Sequence, residues 1–92
     1  MPIKKRYHAF YSGSVHGVGF RFTSERLASS LGISGWVRNL SDGRVELVCE
    51  GKETALAEFL KKISDVFGGY IRSADIREES YTGEFPDFDI RS

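Results

Sequence analysis

The chain has 92 residues, 40% of them apolar and 28% charged, and its 13 basic side chains balance 13 acidic ones. This composition indicates one globular domain spanning residues 1–92, excludes a disordered chain, and provides no net charge that would attract nucleic acid or an anionic membrane. Cys49 is the only cysteine, so an internal disulfide and a metal site built on paired thiolates are also excluded.

The first predicted elements are a strand and a helix joined by a glycine-rich segment. Tyr7 to Gly13 is rich in aromatic residues and ends at glycine, which is typical of a β-strand. The basic run Lys4-Lys5-Arg6 before it is expected to be a solvated N-terminal tail. Apolar residues at helical spacing then predict a helix from about Phe22 to Leu31, and Gly32 follows as its stop.

A β-hairpin and a second helix come next. Trp36–Leu40 and Arg44–Glu50 are rich in β-forming residues, and the Asp42-Gly43 pair between them is a strong hairpin signal. An amphipathic helix follows and ends at Gly68-Gly69. Its apolar stripe consists of Leu56, Phe59, Leu60, Ile63 and Phe67.

Two short strands complete the predicted elements. Ala74 and Ile76 alternate with charged residues, which predicts a half-exposed strand, and Phe88 with Ile90 predicts a short final strand at a sheet edge. The order is therefore βαββαβ with one strand appended. This order predicts a ferredoxin-like α+β fold, an α/β sandwich in which two helices cover one face of an antiparallel sheet.

The segment from Gly13 to Arg21, GSVHGVGFR, is the first candidate for chemistry. Its glycines allow successive backbone N–H groups to turn inward, and the helix N-terminus that follows adds positive potential, so the segment suits an oxyanion. Arg21 would add a full charge and two parallel hydrogen bonds to a phosphate. Taken alone, a glycine-rich loop is more often a plain connection, and this one lacks the Lys-Ser/Thr of a P-loop.

The second candidate is the segment from Gly35 to Gly51, GWVRNLSDGRVELVCEG. It is compatible with a plain β-hairpin, in which Asn39 would be a turn residue. Together, however, the two segments resemble the acylphosphatase signatures Gly-x-Val-Gln-Gly-Val-x-Phe-Arg and Gly-aromatic-Val-basic-Asn-x-x-x-Gly-x-Val, with a further Gly six residues later. The resemblance implies that Arg21 binds the substrate phosphate and that Asn39 positions the attacking water. It also implies a backbone cradle for the phosphate formed by His16, Gly17, Val18, Gly19 and Phe20.

The resemblance implies a metal-independent hydrolase that cleaves small acyl phosphates to a carboxylate and inorganic phosphate. A carboxylate leaving group, whose conjugate acid has a pKa of about 4, needs no general acid. We therefore expect no cofactor, no metal site, a small-molecule substrate, and neither nucleic acid nor membrane as a partner. We further expect a monomer, and a cytoplasmic one because the sequence has neither an apolar run long enough to span a membrane nor a signal peptide.

Two alternatives and two departures from the family pattern bear on this interpretation. One departure is Tyr11, which stands two residues before Gly13, where the family commonly has an aliphatic residue, and the other is His16. An RNA-recognition domain has the same element order, but the strand Arg44–Glu50 lacks the aromatic residues that stack bases. The closer alternative is an acylphosphatase-like phosphate- or carbamoyl-phosphate-binding module of a larger protein, such as the hydrogenase-maturation proteins.

His16 replaces the family's usual glutamine; we interpret it as a structural substitute that leaves the pH profile open. His8 is interpreted as a partly buried strand residue and Cys49 as a small packed apolar group.

Overall fold

Five strands and two helices make up the computed structural model, which describes residues 3–92. They are β1 (Lys4–Gly13), α1 (Phe20–Leu31), β2 (Ser34–Asn39), β3 (Val45–Lys52), α2 (Glu53–Phe67), β4 (Ile71–Glu79) and β5 (Phe88–Arg91). The predicted order of elements is confirmed, although α1 begins two residues earlier than expected. At 12 and 15 residues, neither helix of this described chain reaches the length needed to cross a bilayer, about 20 residues.

The sheet has the strand order β4-β1-β3-β2-β5, and all of its pairs but one are antiparallel. The exception is β5, which runs parallel to β2 from Gly35 opposite Phe88 to Arg38 opposite Arg91. The ferredoxin-like sandwich is therefore confirmed, but the prediction of a wholly antiparallel sheet is wrong at this strand. The cause is the route of the chain: β4 ends at the end of the sheet where β2 begins, so a strand that starts there runs in the same direction as β2.

One apolar core lies between the helices and one face of the sheet. The hairpin strand β3 contributes Val45, Leu47 and Cys49, all fully buried, because alternate residues of a strand share a face. The predicted stripe of α2 is buried against them, with Leu60 partly so. Cys49 packs as expected, and burial raises the pKa of its thiol to about 12.

The basic run near the start of the chain is not a solvated tail. Lys4, Lys5 and Arg6 are strand residues of β1, and the guanidinium of Arg6 contacts the carboxylates of Glu50, Glu79 and Glu84 at 2.9–3.3 Å. Glu50 is fully buried and also accepts hydrogen bonds from the backbone amides of Thr82 and Gly83. Burial opposes ionisation of Glu50, but these hydrogen bonds and Arg6 hold its pKa below the usual value. Because a buried carboxylate needs a paired charge, Arg6 leaves bulk solvent and pairs with Glu50.

The edge strand β4 is more exposed than its alternating sequence predicts. Every residue after Ile71 in this strand is exposed, and Ile76 keeps 42% of its surface in solvent. The expectation of a half-exposed strand is wrong here because β4 lies outside β1, at the end of the sheet order. His8 in β1, by contrast, is partly buried as predicted, with 24% of its side chain exposed.

Candidate active site

The loop that joins β1 to α1 is fixed at both ends by buried side chains. Val15 and Phe20 each keep only 1% of their surface exposed, and the Phe20 ring packs 5.1 Å from Tyr11 and 4.7 Å from Phe67, measured between ring centroids. The segment of residues 16–19 between these anchors is therefore held close to the core.

Two glycines of this loop have left-handed backbone conformations. Gly17 has a φ of 74° and Gly19 a φ of 81°, a region that side-chain-bearing residues rarely adopt. A Cβ at either position would meet no atom within 4 Å. The glycines are therefore required by the backbone turn itself and not by crowding.

The N-terminus of α1 offers backbone donors without competing acceptors. Gly19 caps the helix without a side-chain hydrogen bond, and no acidic residue stands in the first turn. The first intrahelical bond runs from the amide of Thr23 to the carbonyl of Gly19, so the amides from Phe20 to Phe22 precede it and have no intrahelical acceptor. Among residues 3–92, no backbone carbonyl accepts from the amides of residues 15–19 either. This row of donors and the helix dipole favour an anion.

Arg21 and Asn39 reach the same cavity from different elements. Arg21 is an exposed residue of the first turn of α1, and Asn39 is the last residue of β2, opposite Val45 of β3. The cavity has a volume of about 350 Å³ and is lined by Val15, Gly17, Gly19, Phe20, Arg21, Phe22, Asn39 and Ile90. In the part of the chain that the structure describes, Arg21 forms no salt bridge. No carboxylate of residues 3–92 is therefore paired with its charge.

Most of the predicted site residues line this cavity, and two do not. Gly17, Gly19 and Phe20 lie in its wall with Arg21 and Asn39, whereas the side chain of Val18 packs partly against the core. Phe22 and Ile90 were not predicted, because nothing in a local pattern shows that the first turn of α1 and the last strand meet at one cavity. The one signal in the sequence for Phe22 is that it directly follows Arg21, a predicted site residue.

His16 lies outside the cavity wall and connects the loop to the hairpin. Its Nε2 is 2.9 Å from the carbonyl oxygen of Arg44, so Nε2–H donates, because a carbonyl only accepts. Arg44 directly precedes Val45, which pairs with Asn39 across the hairpin. The imidazole thus links the glycine loop to the strands that carry Asn39.

The chemistry of the cavity is that of anion binding. Arg21 is the one charged side chain among its lining residues in the described chain, and Asn39 adds an amide that can both donate and accept. Among residues 3–92, no carboxylate lines the cavity and would repel a phosphate. Residues 3–92 contain no cluster of three or more side chains suited to hold a metal ion.

Comparisons with known proteins identify the family of the chain. The chain matches the acylphosphatase family over residues 7–90. An acylphosphatase of Syntrophobacter fumaroxidans is 46% identical over 90 residues, which cover 95% of this chain and 91% of that protein. The crystal structure of acylphosphatase from Bacillus subtilis superposes with a TM-score of 0.87 at 29% identity, over 96% of this chain and 99% of that one. Full-length HypF, in its phosphate- and nucleotide-bound form, gives a TM-score of 0.88 at 27% identity over 100% of this chain but 12% of HypF.

The match extends through both signature segments and the surrounding fold. It includes the glycine loop, the helix that begins at its end and the hairpin that carries Asn39. The chain therefore belongs to the acylphosphatase family, the enzyme family that its two signature segments predict.

Proposed function

We propose that this chain hydrolyses small acyl phosphates to a carboxylate and inorganic phosphate without a metal ion. The observation that carries the proposal is that Arg21 and Asn39, from α1 and β2, line one cavity at the N-terminus of a helix. The family membership supports the reaction, and the geometry supports the roles given to these two residues.

In the proposed complex the phosphate lies against the amides of residues 16–20 and the guanidinium of Arg21. Phosphoryl transfer passes through a loose transition state with charge on the peripheral oxygens, for which positioning and electrostatic stabilisation do most of the work. The unpaired loop amides and the helix N-terminus supply fixed donors for those oxygens. Arg21 adds the full positive charge.

Asn39 is proposed to hold the attacking water through its side-chain amide. The water oxygen attacks phosphorus, the bond between phosphorus and the acyl oxygen breaks, and the carboxylate leaves with the electron pair. A phosphate oxygen takes the proton of the water, so that the products are a carboxylate and inorganic phosphate. No general acid is needed, since the leaving carboxylate has a conjugate acid of pKa about 4.

The experiment is hydrolysis of benzoyl phosphate in the presence of EDTA by wild type, Arg21→Ala and Arg26→Ala. Arg26 is an exposed arginine of the same helix outside the cavity and serves as the matched control. We expect Arg21→Ala to raise KM and lower kcat together, because Arg21 contacts the phosphate in the ground state and stabilises it more strongly in the transition state. Absence of EDTA-resistant turnover in the wild type would end the proposal.

Oxygen labelling tests which bond the water forms. In water enriched in oxygen-18, attack at phosphorus puts the label into inorganic phosphate, whereas attack at the acyl carbon puts it into benzoate. The proposed cradle requires label in phosphate. Label in benzoate would mean that Asn39 and the loop do not act as described.

The alternative role is that of a phosphate- or carbamoyl-phosphate-binding module within a larger protein. The superposition on 12% of HypF favours keeping it as a second candidate. The isolated chain would then bind inorganic phosphate without turning over benzoyl phosphate. A monomeric state, a cytoplasmic location and the lack of a nucleic-acid partner stay predictions; size-exclusion chromatography with light scattering tests the first.

A further inference from the structure

Phe22 stands out among the apolar side chains of the structure. It keeps 71% of its surface exposed, the largest fraction among the exposed large apolar residues of the described chain. It follows Arg21 in the first turn of α1 and is one of the residues that line the same cavity as Arg21 and Asn39. An exposed aromatic ring beside an anion site is typical of a residue that contacts a ligand.

The cavity is larger than a phosphate alone requires. Five non-hydrogen atoms, at roughly 30 Å³ each, the volume that a water takes in the liquid, fill less than half of the 350 Å³. The remaining space has Phe22 of α1 and Ile90 of β5 in its wall. Ile90 is partly buried and packs against the core, so it provides a fixed apolar surface.

The charge of the cavity limits what this space can hold. Within residues 3–92, Arg21 is the one charged residue of the lining, and the proposed function assigns it to the phosphate. An acyl group with a second phosphate or a carboxylate would lose water without gaining a counter-charge, which is unfavourable. An apolar acyl group would instead cover the Phe22 ring and gain from its burial.

We propose that Phe22 and Ile90 form an acyl-group subsite that selects acyl phosphates with an aromatic or bulky aliphatic body over small or anionic ones. The inference rests on the proposed function, because it takes the phosphate to be held by Arg21 and the loop. Phe22 is then a specificity-determining residue, and its effect depends on the acyl group and not on the phosphate.

The kinetic test compares kcat/KM for benzoyl phosphate and acetyl phosphate in wild type, Phe22→Gln and Phe22→Leu. The control is Val66→Gln, which changes an exposed apolar residue of α2 outside the cavity. We expect the ratio of benzoyl to acetyl phosphate to fall about tenfold in Phe22→Gln, less in Phe22→Leu, and not at all in the control. If Phe22→Gln leaves the ratio of kcat/KM for benzoyl phosphate to that for acetyl phosphate unchanged, the proposed acyl-group subsite is wrong, while the proposed hydrolysis of acyl phosphates is unaffected.

Binding of phosphonates tests the subsite without any turnover. Benzylphosphonate and methylphosphonate carry the same anionic group, so the ratio of their Kd values, measured by calorimetry, reports the organic part alone. We expect benzylphosphonate to bind about tenfold more tightly to wild type, and this preference to disappear in Phe22→Gln. Equal affinities in wild type overturn the inference, whether or not the chain hydrolyses acyl phosphates.

Discussion

Replacing His16 by alanine removes the hydrogen bond between the glycine loop and the hairpin. The bond joins Nε2 to the carbonyl oxygen of Arg44 at 2.9 Å, on an exposed side chain. A hydrogen bond of this kind contributes about 0.5–1.5 kcal/mol. If all of this free energy holds the loop in its anion-binding conformation, anion affinity falls about two- to twelvefold on its loss.

The assay is the competitive inhibition constant of sulfate against benzoyl phosphate, measured with kcat and KM for wild type, His16→Ala and His16→Gln. Glutamine keeps an N–H donor of similar reach and therefore serves as the rescue variant. We expect His16→Ala to raise the sulfate constant and KM within that range, with a smaller change in kcat, and His16→Gln to restore both. A sulfate constant unaffected by His16→Ala, or a glutamine variant as weak as the alanine one, would refute the positioning role.

Three further predictions concern stability and reactivity. Gly19→Ala should lower the free energy of unfolding by about 1–2 kcal/mol, measured by urea titration. The reason is the backbone φ of 81° at Gly19, since the added Cβ would meet no atom within 4 Å. A free energy of unfolding equal to that of wild type would contradict this backbone strain. Glu50 has a folded pKa below its usual value, so its stabilisation is present above the unfolded pKa of about 4.3 and is lost as pH falls through the lower folded value. Between pH 5 and pH 3, a range of roughly two pH units, the melting temperature of wild type should therefore fall more steeply than that of Glu50→Gln. Parallel curves for the two proteins would show that Glu50 does not cause the loss of stability in acid. Cys49, buried and with its thiol pKa raised to about 12, should resist iodoacetamide at pH 8 until the protein is unfolded in urea, and mass spectrometry would reveal any modification of the native state.

The parts of the fold that follow from local pattern could be predicted from the sequence. The stripe of α2 and the Asp42-Gly43 hairpin each depend on residues within a few positions of one another. Arg6 was misjudged because its partner Glu50 lies 44 residues further along the chain, and local composition carries no information on that pairing. The strand β5 was predicted, but its parallel direction was not, since that direction depends on where β4 ends.

The candidate site divides in a similar way. The glycine loop and Arg21 form one continuous segment, and the resemblance to a family added Asn39 from a second segment. The hydrogen bond of His16 to Arg44 and the cavity that Phe22 and Ile90 both line form only when α1, β5 and the hairpin pack together. Phe22 and Ile90 lie 68 residues apart in the chain, so no local pattern indicates that they line one cavity.

The roles of the two central residues predict different kinetic signatures. Arg21 contacts the phosphate in the proposed complex, so its loss weakens binding of any phosphate-like anion. Asn39 contacts the water, so its loss affects the reaction and leaves the phosphate site intact. Although both residues line one cavity, the proposed mechanism therefore requires that loss of Arg21 and loss of Asn39 have these different effects.

The most direct test is therefore a paired measurement on Asn39→Ala, of kcat for benzoyl phosphate in EDTA and of the Kd for inorganic phosphate. The proposed mechanism predicts that kcat falls by about a hundredfold or more, as for loss of a positioning group, while the Kd stays within about twofold of wild type. A variant that keeps full kcat, or one that loses phosphate binding in proportion to its activity, would contradict the role of Asn39 in orienting the water.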